Sequence, residues 1–456
     1  MKVLKFGGTS VQNSKAINQV FDIIKNQSEK LVIVVSAMSG ITNLLVKAVD
    51  YLQINELENS LKTIDEIKIK HLELINDFNL NEDTLNFLND KIYQLVQLIK
   101  ALDVLGEVSP KSQDMIFSLG EILSSKIITD YFIAKNLNVN HLDSREVIIT
   151  DNNFTEANVN FEKSNTKLQN IITNLFDSND FIIMGGFIAA TEQGWTTTLG
   201  RGGSDYSAAI IAGAIDADSL EIWTDVDGIL TSDPRVIKNV KLLNIVSYEE
   251  AAELAYFGAK VLHPKTIFPA IDKNIPVKVL NTFNPDCKGT TIISNQANKN
   301  SLKAIAFRKG TNVINIISNR MLGAFGFLKK VFEIFHKYKT SVDIITTSEV
   351  SISLTIDDLD NIDNIKEDLS KFAKVEVQTN YAIIAAVGYG VKNQSGLASR
   401  FFNVLNDINI TMVSIGASEV NMSIVVKEED VIKAVELLHS EFFTNDLDNE
   451  IFSNLG

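Results

Sequence analysis

The chain has 456 residues, enough for two or three domains with large cores, and its 45% hydrophobic and 22% charged content is that of a globular protein. A net charge of −15 argues against nucleic acid and anionic membranes as partners, and no apolar run approaches the roughly 20 residues that span a bilayer. Cys287 is the only cysteine, which excludes an internal disulfide framework and fits a reducing compartment.

An acidic small substrate would therefore have to be drawn in by a local basic pocket. The N-terminus enters a strand pattern at once, so no targeting segment is expected and the location reads as cytoplasmic. The five histidines (His71, His141, His263, His336, His439) show no metal-ligand spacing and read as structural.

Lys2-Val3-Leu4 is a short strand pattern that breaks into Lys5-Phe6-Gly7-Gly8-Thr9-Ser10, and a helical pattern follows from about Lys15. Paired glycines let the backbone approach a ligand closely, helix-start N–H groups attract anions, and Lys5 adds a positive point charge. The set suits a phosphate, although a tight turn has the same look. It is not the P-loop order, which places its lysine after the second glycine.

Leu31–Val35 is a buried parallel strand by composition, ending in Ser36-Ala37-Met38-Ser39-Gly40-Ile41-Thr42-Asn43. Hydroxyl residues there suit the crevice of an open α/β sheet, and equally a loop in which Ser39 or Thr42 caps a helix. Leu88, Ile92, Leu95, Ile99 and Leu102 recur at steps of four and three, which predicts a helical hairpin over about 51–120. Glu121, in a helical pattern reaching Ala134, is either a solvated position or the partner of a ligand amine.

Phe181–Met184 runs into a second glycine pair, Gly185-Gly186. Thr196–Ser207 then places glycines on both sides of Arg201, and Gly202-Gly203-Ser204-Asp205 opens a helix. Arg201 can hold a carboxylate bidentately. Asp205 is either a first-turn cap or a site residue. Ser219–Trp223 is a strand ending in Thr224-Asp225-Val226-Asp227-Gly228-Ile229-Leu230, an acidic loop that suits a nucleotide or a plain turn. Ser247 and Glu250 form a capping box for a helix over Tyr248–Tyr256, Lys260 is a second phosphate candidate, and a helix restarts at Pro264. Pro276–Leu280 reads as a strand and Asn281–Ser301 as a linker.

Beyond the linker, Gly326–Ile356 aligns without gaps with Gly396–Val426 at an offset of 70. Ser348-Glu349-Val350 recurs as Ser418-Glu419-Val420, and each copy reads as a βαββ module. Helices are predicted over Phe327–Tyr338 and Leu397–Ile408. Paired modules of this kind suit a dimerisation platform, a cleft for a small ligand, or both.

The ordered motifs KFGGTSV (Lys5–Val11), GITNLL (Gly40–Leu45), TTTLGRGGSDYSA (Thr196–Ala208), TDVDGI (Thr224–Ile229), TSDPR (Thr231–Arg235) and FGAKVLHP (Phe257–Pro264) resemble aspartate kinase, a branch of the amino-acid kinase family with tandem C-terminal ACT modules. The resemblance implies an α/β fold with an open, mostly parallel sheet between helices over 1–293, then ACT modules at 302–380 and 381–456. Such modules usually interleave, so Leu302–Phe307 is expected to donate a strand to the second. The implied reaction moves the ATP γ-phosphate to the β-carboxylate of L-aspartate. A carboxylate is already a nucleophile, so positioning and charge neutralisation suffice.

Lys5, with Gly7, Gly8 and Thr9, is assigned to the phosphoryl oxygens, and Asp205 orients Lys5. By resemblance Arg201 clamps a substrate carboxylate, Glu121 meets its ammonium, and Ser36, Thr42, Gly202, Gly203 and Ser204 line the same pocket. Thr224, Asp225, Leu230, Arg235 and Lys260 match the nucleotide side, with Mg²⁺ accompanying ATP and no protein ligand to it named.

Met321, Ala324, Gly326, Phe327, Leu328, Ser341, Val342, Asp343, Thr347, Ser348 and Glu349 resemble the effector loops of lysine-sensitive members. Lysine is the favoured effector, with threonine or none as alternatives. A homodimer through the modules is expected, a tetramer being the larger alternative. The competing readings are another amino-acid kinase, which would lack the tandem modules, and a decayed kinase serving as a sensor, against which Lys5, Glu121, Arg201 and Asp205 all stand intact. Fusion to a homoserine dehydrogenase is disfavoured, since no Gly-x-Gly-x-x-Gly unit is present.

Overall fold

The computed structural model describes residues 1–258, 262–294, 301–323, 325–444 and 448–454. It divides into two compact units, Met1–Gly228 with Leu262–Asn295, and Ile229–Val261 with Gln296–Gly456. Among the described residues no helix is long and apolar enough to cross a membrane.

The first unit is built on strands β1 (Lys2–Phe6), β2 (Leu31–Val35), β3 (Val139–His141), β4 (Phe181–Gly185), β5 (Ser219–Thr224), β6 (Val277–Asn281) and β7 (Thr290–Ile293). Their order is β7-β6-β5-β1-β2-β4-β3, parallel except for β7. Every residue of β2 and β4 is buried, as their unbroken apolar runs require of strands covered on both faces. β1 lies between β2 and the much later β5, so chain order reverses direction beside it. In open α/β sheets that point leaves a crevice outside the carboxyl ends of the strands. The loops after Phe6, Val35, Gly185 and Thr224 all leave from those ends.

Helices Leu57–Asp77 and Glu82–Leu105 form the hairpin, joined through Asn81, whose side chain accepts from the Thr84 amide. Leu88, Ile92, Leu95, Ile99 and Leu102 are all buried, so the predicted apolar stripe is the packed face.

The linker expectation needs a correction. Thr290–Ile293 lies inside it and adds a strand to the sheet, antiparallel to β6. The strand is only four residues long and alternates buried with half-exposed positions, so its apolar signal is weak. Gly289 before it permits a very close backbone approach: a Cβ there would fall 2.1 Å from the Val279 carbonyl oxygen.

The second unit carries β8 (Ala304–Ile317), β9 (Ile345–Thr347), β10 (Ser351–Ile356), β11 (Lys374–Val387), β12 (Ile410–Ser414) and β13 (Asn421–Lys427). They form one antiparallel sheet in the order β9-β10-β8-β11-β13-β12. Register breaks divide β8 between Lys309 and Val313. Its first half, Ala304–Lys309, pairs with Ala382–Val387, which in turn pairs with β13 of the second repeat. Its second half pairs with β10 and with Lys374–Gln378. Each repeat thus uses a strand lying outside its own βαββ run, and Ala304–Phe307 does enter the second repeat's half of the sheet.

The repeat helices are Phe327–Lys337 and Leu397–Asn403. The second is shorter than its apolar pattern predicts, because the chain turns at Val404–Leu405, where the Leu405 amide bonds the Phe402 carbonyl.

Candidate active site

At the carboxyl ends of β1, β2 and β4 the first unit opens a cleft of about 610 Å³. Its walls include Lys5, Gly8, Ser36, Thr42, Glu121 and the run Arg201–Asp205, gathered from four separate stretches of sequence.

Lys5 is the fourth residue of β1, and its ammonium lies 2.6 Å from Asp205 Oδ1, each side chain being about nine-tenths buried. The contact is a close ion pair but lacks the direction of a good hydrogen bond, which leaves Oδ1 without a well-aligned donor. Asp205 does not cap its helix, Gly203–Ala214. That position is filled by Gly202, whose φ of +72° suits glycine, and a Cβ there would meet Thr266 at 2.8 Å. The cap reading of Asp205 gives way to the ion-pair reading.

The Gly7 amide donates to the Trp223 carbonyl at 3.1 Å, joining the glycine loop to the end of β5. A Cβ on Gly8 would press to 3.0 Å from the Ala37 carbonyl, so a side chain there would require the loop after β2 to give way. Thr9 follows in a short 3₁₀ turn, Gly8–Val11. Neither Ser39 nor Thr42 caps the helix Ile41–Gln53. Gly40, at φ +83°, begins it, and both hydroxyl residues face the cleft.

Glu121, near the start of the helix Leu119–Ala134, is 3% exposed, which rules out a solvated position. Its Oε2 has no hydrogen-bond partner. Burial pushes the carboxyl up to about 8, against the opposing pull of the Ala37 and Glu121 amides and of the Lys5 charge. A buried carboxyl oxygen without a partner among the described residues, on a residue that lines a cleft, has the capacity to receive a donor. Arg201, by contrast, is exposed at the rim and forms no ion pair among the described residues.

The second glycine pair also serves close packing. A Cβ on Gly185 would sit 3.1 Å from the Glu121 backbone, and one on Gly186 would collide with Ser204 at 2.7 Å. Phe187 follows with a positive φ of 63° and lines the cleft. Sequence reasoning missed Phe187, Ser39, Asn43, Thr155 and Glu156 as lining residues. Ser39 and Asn43 stood in a quoted loop and Phe187 directly after a glycine pair. Thr155 and Glu156 carry no motif at all.

On the nucleotide side, Thr224 ends β5 and its hydroxyl bonds Asp225 at 3.1 Å. Asp227 is held by the Asn281 and Asn284 amides at 2.8 and 3.1 Å. Leu230 and Arg235 belong to the second unit, where Arg235 is tied to Asp233, and Lys260 lies outside the described residues. Among the described residues no three His, Cys, Asp or Glu side chains converge in the manner of a metal cage.

In the second unit Gly326 begins the helix Phe327–Lys337, and Leu328 lies on it part-exposed. Met321 and Val342 pack against the first repeat's core. Ser341, Thr347, Ser348 and Glu349 are exposed, while Ala324 lies outside the described residues. Asp343 is not a free carboxylate: it pairs with Arg308 and accepts from the Tyr256 hydroxyl.

The model of the amino acid kinase family matches residues 1–281, and that of the ACT domain matches 314–363 and 384–442. The lysine-sensitive aspartokinase 3 of Escherichia coli K12 is 35% identical, over 97% of this chain and 99% of that protein. The crystal structure of E. coli aspartokinase III with aspartate and ADP superposes with a TM-score of 0.82 at 34% identity, covering 97% of this chain and 100% of that one. The structure of the same enzyme with lysine and aspartate gives 0.84, with the same identity and coverage. With its amino acid kinase segment followed by paired ACT segments, this chain belongs to the aspartokinase family.

Proposed function

We infer that the chain transfers the γ-phosphate of ATP to the β-carboxylate of L-aspartate, giving 4-phospho-L-aspartate and ADP. The observation that carries this reading is one cleft holding the Lys5–Asp205 pair, the unpartnered Glu121 Oε2 and the free Arg201 guanidinium. Aspartate has two carboxylates and one ammonium, and the cleft offers cations to the former and a buried acid to the latter.

In the reaction an aspartate β-carboxylate oxygen bonds to the γ-phosphorus as the bond to the β–γ bridging oxygen breaks, and ADP leaves. No proton must be removed from the nucleophile, so no general base is needed. Lys5 neutralises the charge spreading over the transferring group, with Gly8 and Thr9 supplying amides and Gly7, its own amide held by the Trp223 carbonyl, shaping the loop, and Asp205 fixes the ammonium's position. Arg201 clamps one substrate carboxylate bidentately. Glu121 takes the ammonium, while Ser36, Thr42 and Gly202-Gly203-Ser204 complete the pocket. Thr224, Asp225, Leu230, Arg235 and Lys260 serve the nucleotide. Mg²⁺ enters with ATP and offsets phosphate charge.

Lysine is the proposed effector of the ACT segments, through Met321, Ala324, Gly326–Leu328, Ser341–Asp343 and Thr347–Glu349. The relative from E. coli that carries lysine in its name and its lysine complex supports this. Exposed Leu322, Phe325 and Leu328 around this loop fit burial against a second copy in a homodimer. The lone Cys287 fits a reducing, cytoplasmic setting.

The test is an ADP-release assay with MgATP and a panel of aspartate, glutamate and acetylglutamate, with and without lysine. Turnover with aspartate alone, suppressed by lysine, is expected. Turnover with another acid in preference would replace the substrate, and lack of inhibition at millimolar lysine would retire the effector.

A further inference from the structure

Asp114 sits in the short helix Pro110–Phe117 and is wholly buried. No cation partners it among the described residues. Its oxygens are held by two threonines: Oδ1 accepts from the Thr198 hydroxyl at 2.5 Å and Oδ2 from the Thr155 amide at 2.9 Å, and the Thr198 backbone amide also bonds the carboxyl. Burial raises its pKa against the pull of these bonds. A lone buried carboxylate is an expensive way to hold two loops together, since neutral groups would do it without desolvating a charge. Its advantage is two acceptor atoms and short, charge-strengthened bonds.

Both of its partners line the cleft. Thr155 is held at φ 74°, a strained conformation for a β-branched residue, which persists only where the surroundings fix it. Thr198 stands three residues before Arg201, and its carbonyl accepts from the Ala157 amide at 3.0 Å. A Cβ on Gly200 would come within 3.2 Å of Glu156, so the Thr155–Glu156 turn is packed directly against the glycine that leads into Arg201.

We propose that Asp114 is a positioning residue for the substrate end of the cleft: by strapping Thr155 to Thr198 it fixes the wall from which Arg201 reaches the substrate carboxylate. Asp114 does not touch substrate. The proposal rests on the assignment of Arg201 to a substrate carboxylate.

The test compares D114A, D114N, T198V, R201A and D114A/R201A for aspartate KM, ATP KM, kcat and melting temperature. Losing a charge-assisted bond and orphaning a buried amide is worth roughly tenfold to a hundredfold. Aspartate KM in D114A should rise by about that factor while ATP KM stays within about twofold. D114N keeps an acceptor for the Thr155 amide and should recover much of the loss, and T198V should reproduce part of it. D114A should add little in the R201A background. A lowered melting temperature with unaltered aspartate KM in D114A and T198V, or equal increases in both KM values, would overturn the strap. Unaltered aspartate KM in R201A beside a raised one in D114A would instead overturn the Arg201 assignment.

Discussion

The Lys5 ammonium and the Asp205 carboxylate meet at 2.6 Å, although 200 residues of chain separate them. Lys5 comes from the end of the central strand and Asp205 from the first turn of a helix behind a Gly-Gly step, so the pair is a product of the fold. Lys5→Ala should depress kcat by about 10³, because a fixed cation on a developing phosphoryl charge contributes several kcal/mol. Asp205→Asn should lower kcat by a smaller factor, since the ammonium remains but is less firmly placed. Steady-state kinetics at saturating aspartate and MgATP measures both, and near-wild-type turnover of Lys5→Ala would refute the role.

Arg201→Ala should raise aspartate KM sharply, with ATP KM nearly unaltered, because the guanidinium lies at the rim of the substrate cleft and has no structural partner to lose. Arg201→Lys should recover only part of the loss, since an ammonium cannot offer the planar fork. Varying aspartate at fixed saturating MgATP reads the effect directly.

Glu121 predicts a pH signature. Its folded pKa of about 8 stands above the ordinary carboxyl value of 4.5, so the folded chain holds this proton between those values and the unfolded chain does not. The stability it contributes is therefore full below about 4.5 and is lost as pH rises through about 8. An ammonium docked on Oε2 favours the charged form and reverses the shift. Aspartate binding should then expel up to one proton near neutral pH and tighten as pH rises toward 8. Titration calorimetry in two buffers of different ionisation enthalpy measures the release. Glu121→Gln should abolish it, and absence of proton release in the wild type would contradict the assignment.

Asp343 carries a prediction about regulation. Its carboxylate is occupied by Arg308 and by the Tyr256 hydroxyl, so an effector ammonium must compete for it. Tyr256→Phe removes one competitor and should lower the lysine concentration for half-inhibition by roughly twofold to tenfold, the worth of one partly exposed bond to a charged group. Asp343→Asn should raise it. An unchanged lysine response in both variants would remove Asp343 from the effector site.

Much of this was legible in the chain. The buried strands announced themselves as unbroken apolar runs, the hairpin as a stripe now fully buried, and the interleaved ACT sheet as a repeat with a spare strand before it. The glycine pairs marked the loops that close on the cleft, because backbone approaches near 3 Å leave a Cβ little or no room. Three things were hidden. Whether Asp205 capped a helix or met Lys5 depended on which strand lay beneath it, a long-range fact with no local signal. Glu121 in sequence favours a solvated position, and its burial with Gly185 packed against it is a fact of the fold alone. Asp114 and Thr155 belong to no motif, and the positive φ of Thr155 is a strain that only the folded backbone reveals.

The most direct test traps the product. Incubating the chain with MgATP, L-aspartate and hydroxylamine should yield the β-hydroxamate of aspartate in step with ADP release. Glutamate should give none, and Lys5→Ala should lose the signal by about 10³. If the folded wild-type chain releases ADP without aspartate dependence, or if Lys5→Ala forms the hydroxamate at the wild-type rate, the cleft is not the seat of an aspartate-phosphorylating reaction.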